Sequence, residues 1–472
     1  MSDGTTSDGA VDGRDALLAT ARAWRDQDPD DRTRAELDAV ITRVESGDDA
    51  AAADLADRFA GRLQFGTAGL RGALGAGSNR MNRVLVAQAA AGFAAFLLGR
   101  EAEPSIVIGY DGRTNSDVFA RDTAEIMAAA GVAATILPRA LPTPVLAFAV
   151  RHLDVSAGVM VTASHNPPQD NGYKVYLGGV DRGSQIVSPV DGEIAAEIER
   201  AAAAPVTGIA RSDDYREAGD DLVMEYVRRT AAVAGTAATG RQPRVVYTAL
   251  HGVGWEVARR VFATAGFAEP IPVSEQSAPD AAFPTVAFPN PEEPGAMDLS
   301  FATADRVEAD LIIANDPDAD RLAVAIPVDG GWRRLSGNEV GSLLGWRAAE
   351  RAREADVDGT LAASIVSSPR CGRSPGSTDS TTSTPSPGSN GCRASAACST
   401  ATRRPSATSS TPTSSATRTA SRPPSTCWPW RRSCTPRARA SPSTSSPSTS
   451  GSEPTRRRRS RSASTTSRRS RP

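Results

Sequence analysis

Two short stretches of this chain carry residues whose types and spacing could do chemistry. In the first, an apolar run ends at Thr162-Ala-Ser-His-Asn-Pro167, and Pro168 then prevents a helix from starting. This pattern predicts a buried strand, with the hydroxyl of Ser164 at the loop tip that follows it and His165 beside it. A serine so placed could be a covalent nucleophile or a phosphate carrier, although an ordinary Ser/Asn/Pro turn has the same residue types.

Two basic residues could contribute to such chemistry. Asn171-Gly172 predicts a tight turn that would return Lys174, the one lysine of the chain, on the next strand. Further upstream, Phe65-Gly-Thr-Ala-Gly-Leu-Arg-Gly72 contains three glycines, which allow the backbone to approach a ligand closely. Within it, Arg71 could hold a phosphate group with several donors at once.

The second stretch is Leu311-Ile-Ile-Ala-Asn-Asp-Pro-Asp-Ala-Asp-Arg321. A buried strand would deliver three carboxylates onto one loop, a set of oxygen ligands that suits Mg²⁺: Asp316, Asp318 and Asp320. A calcium-binding EF-hand is excluded, because its required Gly and Glu would be Arg321 and Pro327 here. A haloacid-dehalogenase-type phosphatase loop fits poorly at Pro317 and at Asp320-Arg321. The simple alternative is an acidic turn exposed to solvent.

Two more segments follow predicted strands in the same half of the chain. Leu250-His-Gly-Val-Gly254 is predicted to be a turn, and the proline-dense stretch Phe283–Glu293 a fixed loop. His251 could belong to a site or could be a turn histidine bonded to backbone.

The elements that must position these loops alternate in the α/β manner. Residues 14–60 have the composition of two or three helices. Helices are then predicted at 84–98, 113–130, from 142 and at 188–204, and strands at 105–109, at 133–137 and before Ser164. The alternation predicts a largely parallel, doubly wound sheet with functional loops at the carboxyl ends of its strands.

Residues 218–330 repeat this architecture. Helices are predicted at 223–233 and 255–265, strands at 245–250, near 271 and at 311–315, and a hairpin at 322–335 joined by Val328-Asp-Gly-Gly331. Ser336-Gly-Asn-Glu-Val-Gly341 predicts the start of a helix to about residue 353, followed by a strand at 360–366. The predicted division is a lead at 1–60 with its first 13 residues disordered, domains at 61–210 and 218–330, a partial third domain at 336–368 and a disordered tail at 369–472.

Composition changes at Ser368. The 104 residues from Pro369 onward contain no Leu, Ile, Val, Met, Phe or Tyr, and such a composition cannot form a hydrophobic core. They hold 19 of the 53 basic residues and 2 of the 55 acidic residues, a net charge of +17 against −19 for the residues before them. The acidic body argues against nucleic acid as a specific partner, although the Arg456–Arg459 run could bind polyanions without specificity.

All five cysteines also lie beyond Ser368, at spacings that match no zinc site: Cys371, Cys392, Cys398, Cys427 and Cys434. A body without cysteine suits a cytoplasmic protein. The first residues are polar and there is no run of ~18 apolar residues, so neither secretion nor membrane insertion is predicted.

Thr162–Pro167 and Asn315–Arg321 resemble the active-serine loop and the metal loop of the α-D-phosphohexomutases, the phosphoglucomutase and phosphomannomutase family. The other segments quoted above also match the family, in family order, from Phe65 to Ser368. The long N-terminal lead and the Ser336-Gly-Asn-Glu loop are most similar to the branch that acts on glucose, mannose or pentose phosphates. The resemblance implies consecutive doubly wound domains around one cleft.

The resemblance also implies an enzyme that moves phosphate between C1 and C6 of a hexose phosphate, glucose or mannose, through a hexose 1,6-bisphosphate. Ser164 would carry the phosphoryl group, and Mg²⁺ would be bound by that group and by Asp316, Asp318 and Asp320. His165 and Lys174 are the candidates for the base that takes the proton of the sugar hydroxyl. Arg71 and Arg321 would bind the transferring phosphate.

Proteins of this family have a sugar-binding Gly-Glu-Glu loop in a third domain and a phosphate-binding loop in a fourth. Neither is found after Ser368, where the composition is that of a GC-rich gene read out of register. We therefore expect a frameshift near codon 369, with a natural low-complexity tail as the alternative, and impaired mutase activity of this chain.

Two other classes of function stay open. A serine hydrolase or phosphatase would use Ser164 and His165 without any bisphosphate. A non-catalytic remnant would bind metal or sugar phosphate without turnover. In every case the expected partner is a small sugar phosphate or ester, and neither a specific nucleic acid nor a membrane.

Overall fold

Two mixed β-sheets with helices on their faces form the part of the chain that the computed structural model describes, residues 8–234 and 240–362. The helices are α1 (Asp8–Gln27), α2 (Asp31–Glu45), α3 (Asp49–Arg58), α4 (Arg83–Arg100), α5 (Ser116–Ala129), α6 (Thr143–His152), α7 (Val190–Ala202), α8 (Asp220–Ala234), α9 (Gly254–Thr264), α10 (Asp298–Val307) and α11 (Gly337–Glu354). The strands are β1 (Leu70–Ala73), β2 (Ser105–Tyr110), β3 (Ala133–Ile136), β4 (Ala157–Val161), β5 (Asp170–Leu177), β6 (Ser184–Gln185), β7 (Arg216–Glu217), β8 (Val245–Thr248), β9 (Ile271–Pro272), β10 (Leu311–Asn315), β11 (Leu322–Val328) and β12 (Gly331–Arg334).

The N-terminal lead forms three helices that pack against α4. Leu37, Val44 and Leu55 are buried in one cluster with Val84 and Ala87 of α4. The prediction of two or three helices is confirmed, but the prediction of disorder up to residue 13 is wrong for residues 8–13, which belong to α1. Asp and Gly are poor helix formers, and packing of the later turns of α1 outweighs that local preference.

The first sheet has the strand order β1-β5-β4-β2-β3-β7, with β6 beside β5. The neighbours β4, β2, β3 and β7 pair in parallel, whereas β1, β5 and β6 pair antiparallel to their neighbours. The sheet is therefore mixed, and its parallel half agrees with the doubly wound fold class predicted from the sequence. α4 is the one described helix long and apolar enough to cross a membrane, but 67% of it is buried within the protein.

Asn171-Gly172 does not form the predicted turn, because both residues lie inside β5. The chain reverses earlier, where the amide of Asp170 donates to the carbonyl of Pro167 at 3.0 Å. Gly172 instead permits close packing of β5 between its neighbours: a Cβ there would lie 2.6 Å from the carbonyl oxygen of Thr162 and 2.8 Å from that of Leu70. The end of the glycine-rich segment is likewise a strand, β1, which pairs with β5.

The second sheet has the order β12-β11-β10-β8-β9 and holds the predicted hairpin of β11 and β12. Val328 and Gly331 pair with each other, so the hairpin turn is Asp329-Gly330 alone and is shorter than predicted. α10 was not predicted from the sequence. Of the strand predicted at 360–366, residues 360–362 are not in a strand and the rest lie outside the described residues, as does the tail at 369–472.

A shared hydrophobic core joins the two sheets. Val145 and Leu146 of α6 and Val107 of β2 are buried in one cluster with Val223 of α8 and Val257 of α9. The described residues belong to a single compact unit. This packing brings the carboxyl ends of β4 and β10 together, and the two loops singled out in the sequence follow these strands.

Candidate active site

The serine loop, defined here as residues 162–170, follows the fully buried strand β4. Ser164 has a left-handed backbone with φ 54° and is 1% exposed. Few non-glycine residues adopt this conformation, and here it is fixed in part by the Ser164 amide, which donates to Thr162 Oγ1 at 2.8 Å. The Ser164 hydroxyl donates to Asp316 Oδ2 at 2.7 Å, so the two predicted motifs meet at one hydrogen bond.

The metal loop, defined here as residues 315–321, follows β10 in the second sheet. Asp316 and Asp318 are fully buried and Asp320 is partly exposed, and one carboxylate oxygen from each lies within 4.8 Å of the others. Ala319 has a left-handed backbone with φ 54°, which lets the chain turn between these acids. The three carboxylates therefore converge, as expected of a metal-binding set.

Neighbouring segments hold the metal loop from both sides. The amide of Val253 donates to the Pro317 carbonyl at 2.8 Å, and a Cβ on Gly252 would lie 2.2 Å from the Cα and the oxygen of Pro317. At the start of α6, Thr143 donates from its amide to the Asp318 carbonyl at 2.9 Å and from its hydroxyl to Asp318 Oδ2 at 2.6 Å. Only glycine at position 252 allows this approach.

Lys174 lies on β5 and reaches the metal loop. Its ammonium donates to Asp318 Oδ2 at 2.6 Å and to Asp320 Oδ2 at 2.8 Å, and its side chain is 6% exposed. Burial opposes the charged form, but the two carboxylates outweigh burial and raise the pKa of Lys174. The lysine is thus a buried cation between two acids, and not the surface strand residue that the sequence alone would also allow.

The buried acids differ in their protonation equilibria. Burial, followed by repulsion from Asp318 and Asp320, raises the pKa of Asp316. Burial would raise the pKa of Asp318 too, but the adjacent Lys174 ammonium outweighs it and lowers that pKa. Crowding of like charges in a buried loop is therefore only partly compensated by the protein's own cations.

His165 lies beside the serine, with Nδ1 3.3 Å from Ser164 Oγ. Burial and then the nearby Arg321 and Arg71 guanidinium groups lower the pKa of His165 to about 3. The imidazole is therefore neutral at pH 7. Ser164 Oγ is its one hydrogen-bond partner among the residues that the structure describes.

The two predicted phosphate-binding arginines flank this centre. Arg71 lies on β1 and donates from Nη1 to Asn166 Oδ1 in the serine loop at 3.3 Å. Arg321 ends the metal loop, with Nε 3.7 Å from Asp316 Oδ2 and 3.8 Å from Asp320 Oδ1. All eight predicted site residues thus belong to the two loops or contact them.

Among the described residues, the hydrogen-bond partners of His251 lie outside both loops. Its Nε2 lies 2.8 Å from Thr285 Oγ1, its amide donates to the Gln276 carbonyl, and its carbonyl accepts from Asp280. These contacts tie the turn to the proline-rich loop, which has no helix or strand, as predicted. Of the two interpretations of this histidine, the structural one fits its surroundings.

The donor set fits a hard divalent cation. Asp318 Oδ1 is buried and accepts no hydrogen bond from the described residues, so one carboxylate oxygen inside the cluster lacks a donor. Oxygen atoms of three carboxylates with one open acceptor are ligands that Mg²⁺ prefers. Three contributors to the geometry of the two loops were not found by sequence reasoning: Thr143 and Gly252, which hold the metal loop, and Arg113, whose Nη2 donates to the Ser164 carbonyl at 2.7 Å. Gly252 lies in the turn Leu250–Gly254 that was predicted from the sequence, so the sequence did mark its segment, although not its contact with Pro317.

Known proteins match this chain in the two regions that form the two sheets. Family models described as phosphoglucomutase/phosphomannomutase, alpha/beta/alpha domains I and II, match residues 62–204 and 224–330. A probable phosphomannomutase of Haemophilus influenzae is 58% identical over 290 residues, which cover 61% of this chain and 59% of that protein. Human phosphopentomutase is 38% identical over 372 residues, covering 72% of this chain and 58% of that protein.

A solved structure has a similar fold over part of the chain. The crystal structure of a putative phosphomannomutase from Thermus thermophilus matches with a TM-score of 0.53 and 26% identity, and the match covers 66% of each chain. The present chain spans less than two thirds of the length of the relatives named here.

Proposed function

The chain belongs to the phosphoglucomutase/phosphomannomutase family, and on that premise we propose that it is a phosphosugar mutase whose phosphate carrier is Ser164. One observation carries the proposal: Ser164 Oγ lies 2.7 Å from Asp316 Oδ2, so the serine of the first sheet is joined to the acidic loop of the second. A serine that carries phosphate next to a metal-binding set is an arrangement that suits phosphoryl transfer.

The geometry disfavours the serine hydrolase that the sequence left open. In such an enzyme the base that activates the serine is itself oriented by a third group. Among the described residues, His165 has no hydrogen-bond partner other than Ser164, and the shorter bond of the serine is to Asp316. Three converging carboxylates have no role in acyl transfer, whereas they fit a site for phosphate and metal.

Asp316, Asp318 and Asp320 would hold Mg²⁺, together with an oxygen of the group carried by Ser164. When bound, the ion withdraws negative charge from the phosphoryl group during transfer. Arg71 and Arg321 lie on either side, where planar guanidinium groups can bind phosphate oxygens. The three carboxylates therefore act together, and Asn in place of any one of them should weaken Mg²⁺ binding in a calorimetric titration.

The proposed reaction is transfer of the Ser164 phosphate to a hydroxyl of a hexose monophosphate. The hexose 1,6-bisphosphate so formed returns its other phosphate to Ser164, and the net change moves phosphate between C1 and C6. The attacking hydroxyl must lose a proton, and His165 and Lys174 are the candidates for the base. The ammonium of Lys174 is bound to two carboxylates in this structure, so the imidazole of His165 is the better placed acceptor.

We propose a hexose phosphate as substrate, mannose or glucose phosphate before pentose phosphate. The relative named phosphomannomutase is 58% identical, compared with 38% for the relative named phosphopentomutase. We further propose that turnover by this chain is slow. Residues from Pro369 onward lack the apolar side chains that a sugar-binding domain needs, and remote binding of the sugar orients the bisphosphate in both half-reactions.

The test is conversion of 1-phosphates to 6-phosphates by the purified 472-residue chain, followed by phosphorus NMR with Mg²⁺ and glucose 1,6-bisphosphate present. Glucose, mannose and ribose phosphates are compared, with Ser164→Ala as control. Slow conversion of a hexose phosphate that the control lacks supports the proposal. Release of inorganic phosphate without isomerisation would favour a phosphatase, and rapid turnover would refute the proposed impairment.

A further inference from the structure

We propose that Arg113 is a positioning residue that clamps the serine loop and so fixes the direction of the Ser164 hydroxyl. The inference rests on the proposed role of Ser164 as phosphate carrier. Arg113 lies in the turn between β2 and α5, 51 residues before Ser164, and nothing in its local sequence marks it for this role.

The guanidinium of Arg113 binds four backbone carbonyls of the serine loop. Nη2 donates to the oxygens of Ser164 at 2.7 Å and Asn166 at 2.6 Å. Nη1 donates to the oxygens of Pro167 at 2.8 Å and Asp170 at 3.0 Å. One side chain therefore ties the residue that carries the hydroxyl to the far end of the loop.

Arginine suits this position because its planar fork presents several donors in fixed directions and keeps its charge when buried. Arg113 is 4% exposed, and its charge is balanced by Asp111, whose Oδ2 lies 3.5 Å from Nε. Asp111 is held in turn by the Arg113 amide at 3.0 Å and by the Ser116 hydroxyl at 2.7 Å. A lysine would keep the charge but would lose the paired donors.

The loop needs such a clamp because its conformation is unfavourable without one. Ser164 has a left-handed backbone, a conformation that costs free energy in any residue other than glycine. Four carbonyls of the loop accept from the guanidinium, and that of Pro167 also accepts from the Asp170 amide. Without these donors the carbonyls would turn to find water, and the hydroxyl would lose its alignment with Asp316.

Arg113 also contacts a residue of the domain that contains the second sheet, Phe283. Its guanidinium lies over the ring of Phe283, with 4.9 Å from Cζ to the ring centroid. Phe283 is 2% exposed and opens the proline-rich loop. Arg113 therefore contacts both the serine loop and the domain that carries the metal loop. This double contact should hold the two loops in a fixed position relative to each other.

The experiment compares Arg113→Met and Arg113→Lys with wild type in the full chain. The control is Arg83→Met, which removes a partly buried arginine whose guanidinium binds Asp122 in the same domain, away from the loop. Backbone hydrogen exchange is measured by mass spectrometry for the loop and for α4. The rate of phosphate uptake by Ser164 from glucose 1,6-bisphosphate and the Mg²⁺ affinity are measured in parallel.

We expect exchange in the loop to rise at least about tenfold in Arg113→Met, while exchange in α4 changes less than about threefold. Phosphate uptake should fall about tenfold or more while Mg²⁺ affinity changes less than about threefold, because the carboxylates are untouched. Arg113→Lys should show the same pattern at smaller amplitude, and Arg83→Met should leave the loop unchanged.

Loop exchange that stays at the wild-type rate in both Arg113 variants would overturn the inference, as would a rise spread evenly over the whole domain. Arg113→Lys retains the charge and so keeps the test decisive if Arg113→Met does not fold. The two proposals fail separately: a wild-type chain that takes up no phosphate on Ser164 refutes the carrier role, whereas the exchange data still decide whether Arg113 clamps the loop.

Discussion

The serine loop and the metal loop share one design but are held by opposite means. Each follows the carboxyl end of a buried strand, and each turns on one left-handed residue, Ser164 or Ala319, with φ 54°. The serine loop is held by a cation, Arg113, which binds its carbonyls from within the same domain. The metal loop is held by donors from two other segments, at Val253 and Thr143, which leave much of its negative charge uncompensated.

The difference indicates a division of tasks. The carbonyls of the serine loop are bound by donors of the protein, so this loop has its conformation before any ligand binds. Such a preformed loop suits the Ser164 hydroxyl, which must point in one direction. A loop that collects buried carboxylates is stable only with a cation among them. In this structure Lys174 supplies part of that charge, so the metal loop should respond to cations and the serine loop should not.

The largest effect is expected from Lys174→Met. Removal of one partner from a buried ion pair costs about 3–5 kcal/mol, because Asp318 is left without its compensating charge. Mg²⁺ can restore that charge, so excess Mg²⁺ should raise the melting temperature of the variant more than that of wild type. Thermal unfolding with EDTA and with Mg²⁺ measures both. An equal loss of stability in the two conditions would mean that Lys174 is not a counter-ion of the metal loop.

A smaller effect is expected from Gly252→Ala. The added methyl group would meet the Pro317 backbone at 2.2 Å, so the metal loop must shift, at a cost of about 1–3 kcal/mol and with weaker Mg²⁺ binding. The matched control is Gly192→Ala in α7, where no atom lies within 4 Å of the new Cβ. That change should stabilise the protein by about 0.5–1 kcal/mol. Chemical denaturation of both variants checks the difference, and equal stabilities would refute the close approach at Pro317.

The smallest effect is expected from Thr143→Val, which removes the hydroxyl that donates to Asp318 while keeping the shape of the side chain. The cost should be about 1.5 kcal/mol, the lower end of the range for a hydrogen bond to a charged group, because Asp318 Oδ2 still accepts from Lys174. Thr143→Ser retains the donor and loses only a buried methyl group, so its cost should be about 0.8 kcal/mol. If serine proves as costly as valine, packing and not the hydrogen bond accounts for the role of Thr143.

Much of the fold was accessible from the sequence, because long helices and buried strands have strong periodic patterns. One failure, the turn predicted at Asn171-Gly172, came from the several structural uses of glycine. At Gly172 the absence of a side chain serves close packing between strands, not a turn, and local sequence does not distinguish these uses. Asn171 was also predicted to belong to a turn, but its side-chain amide donates to the carbonyl of Thr114 and to Ser116 Oγ and makes no hydrogen bond within a hairpin turn.

In the site, the residues found from sequence are those that lie inside short motifs. Ser164 and the three aspartates of the metal loop could be predicted because strand and loop chemistry adjoin along the chain. Thr143 could not, since its partner Asp318 is 175 residues away, and neither could Arg113, whose partners are 51–57 residues away. Contacts of this kind arise only when the sheets are assembled.

The most direct measurement of the central claim is the location of covalent phosphate on the chain. The purified protein is incubated with Mg²⁺ and glucose 1,6-bisphosphate, digested and mapped by mass spectrometry. Phosphate is predicted on Ser164, in the peptide that contains His165 and Asn166, and it should be absent from that peptide in Ser164→Ala. Phosphate found only on serines beyond Ser368, or on none, would contradict the assignment of Ser164 as the phosphate carrier.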